Sequence, residues 1–187
     1  MRLFVALSPP PEALAEVARV VASHSEAWPE LRWVAPETWH VTMTFLGEVA
    51  EEVLPRLAVR LARAASRYPA MTLAFGGAGA FSSAARARVV WLGLSGGGTA
   101  LSRLAASLAA GAQRAGAVHT DRKPFHPHLT LARSRARTGT DARGLVESLG
   151  SFSGTPWRAD SVHLVRSHLG PSVRYETLGS WPLAGRD

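Results

Sequence analysis

The 187-residue sequence contains no cysteine. A disulfide scaffold and thiol chemistry are thereby excluded, and a reducing, cytoplasmic setting is the expectation. No apolar run approaches the ~18 residues of a membrane span. The first residues also lack a basic stretch followed by an apolar one, so neither export nor membrane residence is expected. The glycine-rich stretch Ser95-Gly96-Gly97-Gly98-Thr99 has no lysine, which a phosphate-cradling loop needs after a fixed spacing; it reads as the start of a helix. There is no His-Glu-x-x-His, and no carboxylate stands beside the paired histidines described below. A metal site built on His126 and His128, two residues apart, ranks low on that account, and no cofactor is expected.

What is present is ample apolar material and unevenly placed positive charge. With 47% hydrophobic residues, the chain is long enough for one core or two small lobes sharing an interface, so residues 1–187 read as a single domain. Formal net charge is +7. Residues 122–143 hold six basic side chains (Arg122, Lys123, Arg133, Arg135, Arg137, Arg143) against one acid, Asp141, leaving 15 basic and 13 acidic groups elsewhere. Such a cluster concentrates anionic substrates and suits a nucleic-acid partner; a merely solvated arginine-rich face is the competing reading.

Two stretches share a pattern. His40-Val41-Thr42-Met43 and His128-Leu129-Thr130-Leu131 both read His-x-Thr-x, 88 residues apart, about half the chain. In a strand, alternate side chains face opposite ways. His40 and Thr42 therefore share a front, with Val41, Met43 and Phe45 behind; His128 and Thr130 share another, with Leu129 and Leu131 behind. A single such pair is more often a satisfied, half-buried polar pair than a catalyst. Two copies suggest internal duplication, and facing fronts would set two imidazoles about one pocket. Arg133 can pair with a phosphate, yet strict alternation puts it on the leucine face, so it needs a bulge or a strand end to reach that pocket. Phe45, Phe125 and Tyr175 are candidates to stack on a base, with burial the expected fate of Phe45.

The remaining elements follow from periodicity and punctuation. Residues 2–7 read as a buried strand, and prolines then open a helix with Leu14, Val17 and Val21 on one face. Strands are expected at 31–34, 40–46, 71–79 and 88–94. A second helix carries Val53, Leu57 and Leu61, and a third carries Leu101, Leu104 and Leu108 and ends near Gly116. The second motif strand follows. Then come a short helix, Asp141 to Leu149, and closing strands at 152–157, 161–167 and 173–179, with Gly170-Pro171 as a turn. This is an α+β pattern.

The paired motifs, with Arg2 to Leu7, Phe45 to Gly47, Phe81 with Arg88 to Gly93, Phe125 to Arg133, Leu164 to Ser167 with Arg174 to Glu176, and Trp181 to Leu183, resemble the two-histidine phosphoesterase superfamily. Within it the chain resembles the RNA 2′,3′-cyclic phosphodiesterases, also called bacterial 2′-5′ RNA ligases. The resemblance implies a bilobal fold: two antiparallel sheets backed by helices face a central cleft with pseudo-twofold symmetry. It also implies His40 as proton donor and His128 as proton acceptor, Thr42 and Thr130 on the phosphate, and metal-independent hydrolysis of RNA 2′,3′-cyclic phosphate to a 2′-phosphomonoester with reversible 2′-5′ ligation. RNA ends, tRNA fragments among them, are the implied partner of a monomer. The residues alone say only that two imidazoles can serve as acid and base near neutral pH, and that two hydroxyls can bond the non-bridging oxygens. Another cyclic or 2′-5′-linked nucleotide as substrate, or a non-catalytic RNA-binding module, stays open.

Overall fold

The computed structural model describes residues 1–117, 124–170 and 172–185. Arg122, Lys123 and Pro171, named above, lie outside the described residues. In chain order the elements are β1 (Arg2–Leu7), α1 (Pro11–Ser25), β2 (Leu31–Trp33), β3 (Val41–Glu48), α2 (Leu54–Ala65), β4 (Met71–Phe81), β5 (Val89–Gly96), α3 (Gly98–Ala115), β6 (His128–Ser134), α4 (Arg143–Gly150), β7 (Trp157–Ala159), β8 (Ser161–His168) and β9 (Arg174–Pro182).

Local chemistry accounts for most boundaries. Pro11 opens α1, where its missing N–H has no partner to lose. Gly96, Gly97 and Gly98 lead into α3 with φ of 89°, 70° and 49°, which side-chain-bearing residues rarely adopt. A Cβ on Gly96 would also collide with the Thr72 carbonyl oxygen. The strand expected at 152–157 is a correction: β7 begins only at Trp157. Ser153 makes an isolated bridge to Gly76, and Pro156, which has no N–H to donate, stands before any ladder can form.

The strands join in the order β7-β4-β5-β6-β3-β1-β8-β9, with β2 on β6. This order exposes a duplication. The run β1-α1-β3-α2-β4 is followed by β5-α3-β6-α4-β8, and in each half the last strand crosses over: β4 pairs with β5 and β8 with β1. The result is one nine-stranded sheet made of two antiparallel halves, β7-β4-β5-β6 and β3-β1-β8-β9, which end on β6 and β3. They meet at a seam where β3 and β6 pair antiparallel through Val41 and Leu129.

The helices lie behind this seam. Val17 of α1, Leu57 and Leu61 of α2, Leu101, Leu104 and Leu108 of α3, and Leu145 and Leu149 of α4 share one core with Val41, Met43, Leu129 and Leu131. Each fully buried leucine contributes roughly 1.5–3 kcal/mol. A separate small cluster of Phe4, Ala6 and Val165 marks the other face of β1 and β8, and it is on this front that the motif side chains emerge.

Candidate active site at the seam of the two sheets

Register decides what faces what. With Val41 opposite Leu129, stepping one residue each way along an antiparallel pair sets His40 across from Thr130 and Thr42 across from His128. Val41 and Leu129 are fully buried, whereas the two histidines and two threonines are partly exposed on the front. The four side chains therefore sit around the local twofold, each imidazole facing the other copy's hydroxyl.

Both rings are held the same way. His40 Nδ1 lies 2.8 Å from the Thr38 carbonyl oxygen, and His128 Nδ1 lies 2.6 Å from that of His126. A carbonyl only accepts, so Nδ1–H is the donor in each ring and Nε2 is left bare in the neutral form. Thr38 and His126 thus serve through their backbones, two residues upstream, a relation the spacing of the motifs carries but side-chain reasoning overlooks. His126 is exposed and packs its ring against Trp91, centroids 4.5 Å apart.

Aromatic walls surround each imidazole. His40 has Phe4 at 4.6 Å and Tyr175 edge-on at 5.2 Å. His128 has Phe81 edge-on at 5.0 Å and Trp91 at 6.1 Å. Burial among these rings lowers both histidine pKa values from the ordinary imidazole range, with the carbonyl hydrogen bonds opposing; His128 and Arg133 add to the lowering at His40, and His126 and Arg133 at His128. The sequence assigns no site role to Phe4, Phe81 and Trp91, although the stretches that hold them carry the resemblance, because they reach the site through β1, β4 and β5, by strand pairings distant in sequence.

Two β-bulges settle where the neighbours point. Between Thr42 and Thr44, β3 carries one more residue than β1, so Met43 and Thr44 are both buried. Between Thr130 and Ala132, β6 carries one more residue than β5, so Leu131 and Ala132 are both buried. Met43 and Leu131 are the same motif position, and each bulge turns the residues after it to the opposite face. Arg133 thereby comes to the front, close enough to act electrostatically on His40, His128 and Tyr175. The same device overturns the expectation for Phe45, which is 44% exposed on the front beside Phe4 rather than buried behind it. Tyr175 walls His40, while Phe125 packs partly buried against the main core. Among the described residues, no three His, Cys, Asp or Glu side chains converge as metal ligands, and no helix is long and apolar enough to cross a membrane.

This geometry can be set beside known proteins. Residues 9–171 match the family model of the 2′-5′ RNA ligase superfamily. An RNA 2′,3′-cyclic phosphodiesterase of Escherichia coli is 38% identical over 140 residues, 74% of this chain and 75% of that protein. One of Geobacillus stearothermophilus is 29% identical over 182 residues, 97% of this chain but only 57% of that longer protein. The crystal structure of a Thermus thermophilus protein, TT0787, superposes with a TM-score of 0.80 at 30% identity, with each chain fully covered. With a family model spanning most of its length, and a duplicated fold whose seam presents two His-x-Thr motifs, the chain belongs to the 2′-5′ RNA ligase superfamily, the two-histidine phosphoesterases.

Proposed function

We propose that the protein is a metal-independent RNA 2′,3′-cyclic phosphodiesterase that opens the cyclic phosphate to a 2′-phosphomonoester and, with an RNA 5′-hydroxyl in place of water, forms a 2′-5′ linkage. One observation carries this reading: two imidazoles, each anchored through Nδ1–H to a carbonyl, present bare Nε2 atoms across one seam. In-line displacement at phosphorus needs a base behind the attacking oxygen and an acid behind the leaving one. The names of the curated relatives support the substrate class.

In this mechanism Nε2 of His128 takes a proton from the attacking water as its oxygen bonds to phosphorus. The P–O3′ bond breaks, and protonated Nε2 of His40 delivers a proton to the departing 3′ oxygen. Thr42 and Thr130 donate hydroxyl hydrogen bonds to the non-bridging oxygens, and Arg133 offsets their charge. One histidine ends protonated and the other neutral, so proton exchange with solvent resets the pair. Ring strain drives opening without ATP. The enzyme acts as a cytoplasmic monomer on RNA ends, tRNA fragments among them.

The test is to resolve the product of an oligonucleotide ending in adenosine 2′,3′-cyclic phosphate by chromatography against 2′- and 3′-phosphate standards. A 2′-phosphate is expected, with ligation appearing only at high concentrations of paired ends. A predominantly 3′-phosphate product reverses the acid and base roles and rejects this reading.

A further inference from the structure

We propose that the outer face of α2 and α3 is a second RNA-binding surface, gripping the phosphate backbone of the RNA whose end enters the cleft; this rests on the cleft being an RNA site. Together the two helices carry five arginines (Arg56, Arg60, Arg63, Arg103, Arg114) and no Asp or Glu. The other two are mixed: Glu12, Glu16 and Arg19 on α1, Arg143 and Glu147 on α4. Four of the five arginines, with Pro55 and Val59, line a groove of about 400 Å³.

Nothing among the described residues neutralises this groove. The ion pairs among the described residues are Met1 with Glu48, Arg143 with Asp141, and His168 with Glu176, and none involves the groove. Arg56 and Arg60 are four apart, and Arg60 and Arg63 three apart, spacings at which like charges on a helix destabilise it. Glu51 and Glu52 precede α2 in a short 3₁₀ turn, at the end where the helix dipole favours acids. Arg114 sits in the last turn of α3 and meets a dipole of only about half a negative charge. The groove therefore keeps a net positive charge that an anionic partner would relieve.

The chemistry favours RNA over a membrane or an acidic protein. Guanidinium forks match phosphate oxygens two at a time. The exposed apolar residues of the groove are only Pro55 and Val59, with no aromatic or leucine to insert into lipid. Because α2 and α3 pack on the buried side of the seam, away from the histidines, a mononucleotide in the cleft cannot reach the groove. A folded RNA can.

The experiment compares wild type with R60Q/R63Q/R114Q, leaving Arg56 near the end of α3. Fluorescence anisotropy measures binding of a stem-loop RNA with a 3′-hydroxyl end at several salt concentrations. Weaker binding is expected, with a log–log salt slope shallower by ~2 to 3, since each phosphate contact contributes ~0.7–0.9. Turnover is compared for the same stem-loop ending in a 2′,3′-cyclic phosphate and for adenosine 2′,3′-cyclic phosphate. KM for the stem-loop should rise ~10-fold or more at unchanged kcat, while the mononucleotide is unaffected. Unchanged RNA binding overturns the proposal, as does equal loss on both substrates, which means fold damage. Arginine-dependent sedimentation with phosphatidylserine vesicles, without an effect on RNA, assigns the face to lipid and overturns it too. If wild type opens neither cyclic phosphate but binds the stem-loop through these arginines, the cleft reading falls and the surface stands.

Discussion

The His40 half and the His128 half of the cleft share a frame and differ in what the frame carries. Each has a His-x-Thr strand at the seam, a ring tethered to a carbonyl two residues back, and a bulge at the same motif position. The neighbours then diverge. Opposite Thr42 stands Ala6, and opposite Thr130 stands Trp91. After the bulge one half presents Phe45 and the other Arg133. Symmetry supplies two equivalent proton-transfer groups, and asymmetry decides how an unsymmetrical substrate lies between them: an aromatic surface on the His40 side, a cation and an indole on the other.

The comparison is broken most severely by removing either imidazole. His40→Ala and His128→Ala should each lower kcat by ~10² to 10⁴-fold. Thermal unfolding should stay near wild type, because both rings sit on the partly exposed front rather than in the main core. A steady-state assay with a cyclic-phosphate oligonucleotide, with and without EDTA, checks this. Near-full activity in a folded variant sinks the two-histidine mechanism, and loss of wild-type turnover in chelator restores the metal alternative. A double variant no slower than either single one would show that the two histidines act as one unit.

Thr42→Ala and Thr130→Ala should follow, each lowering kcat/KM roughly 10- to 100-fold, from ~1.5–3 kcal/mol for a hydrogen bond to a charged oxygen. Because each threonine faces the other copy's histidine, the double variant tests whether the two donors share one phosphate. If they do, their effects depart from simple addition. Additive losses would place the hydroxyls on separate groups.

Much of this was legible in the sequence, and the rest was not for identifiable reasons. Helices with regular apolar spacing, such as Leu101-Leu104-Leu108 ending at Gly116, followed from local pattern. So did the front-facing His and Thr of each motif, since period-two alternation holds that far. It fails one residue later: a bulge at Met43 and another at Leu131 reverse the alternation, so Phe45 and Arg133 come to the front. A bulge is set by strand pairing, which a single strand does not reveal. Phe4, Phe81 and Trp91 lie in stretches that carry the family resemblance, but no local pattern gives them a place in the site, because only the sheet order brings β1, β4 and β5 beside the histidines.

Trp91 offers a smaller perturbation confined to one half. Gly79 lies opposite it on β4, and a Cβ there would collide with the indole. Gly79→Ala should therefore cost ~1–3 kcal/mol through overpacking, lower Tm by several degrees, and disturb the wall of His128 but not of His40. Gly150→Ala is the control, since its Cβ would meet nothing within 4 Å. A Gly79→Ala protein as stable as wild type would mean that the indole moves freely, and the wall it forms would not be fixed.

The smallest expected effect separates Arg133 from Phe45. Burial is the largest cause lowering both histidine pKa values, so the pH profile of kcat/KM should be a bell whose two limbs belong to the pair and whose centre lies below the ordinary imidazole value of ~6.5. Arg133 adds to the lowering at both rings, because a nearby positive charge disfavours a second one. Arg133→Gln removes that repulsion. Protonation of each imidazole becomes easier, both pKa values rise, and both limbs of the bell move toward higher pH. Phe45→Leu removes no charge and should leave the limbs in place, whatever it does to KM. Reading the limb positions rather than the height of the profile keeps the result independent of lost phosphate binding. If Arg133→Gln leaves both limbs where they were, the guanidinium is too well screened to act on the imidazoles, and the electrostatic difference between the two halves is not what distinguishes them.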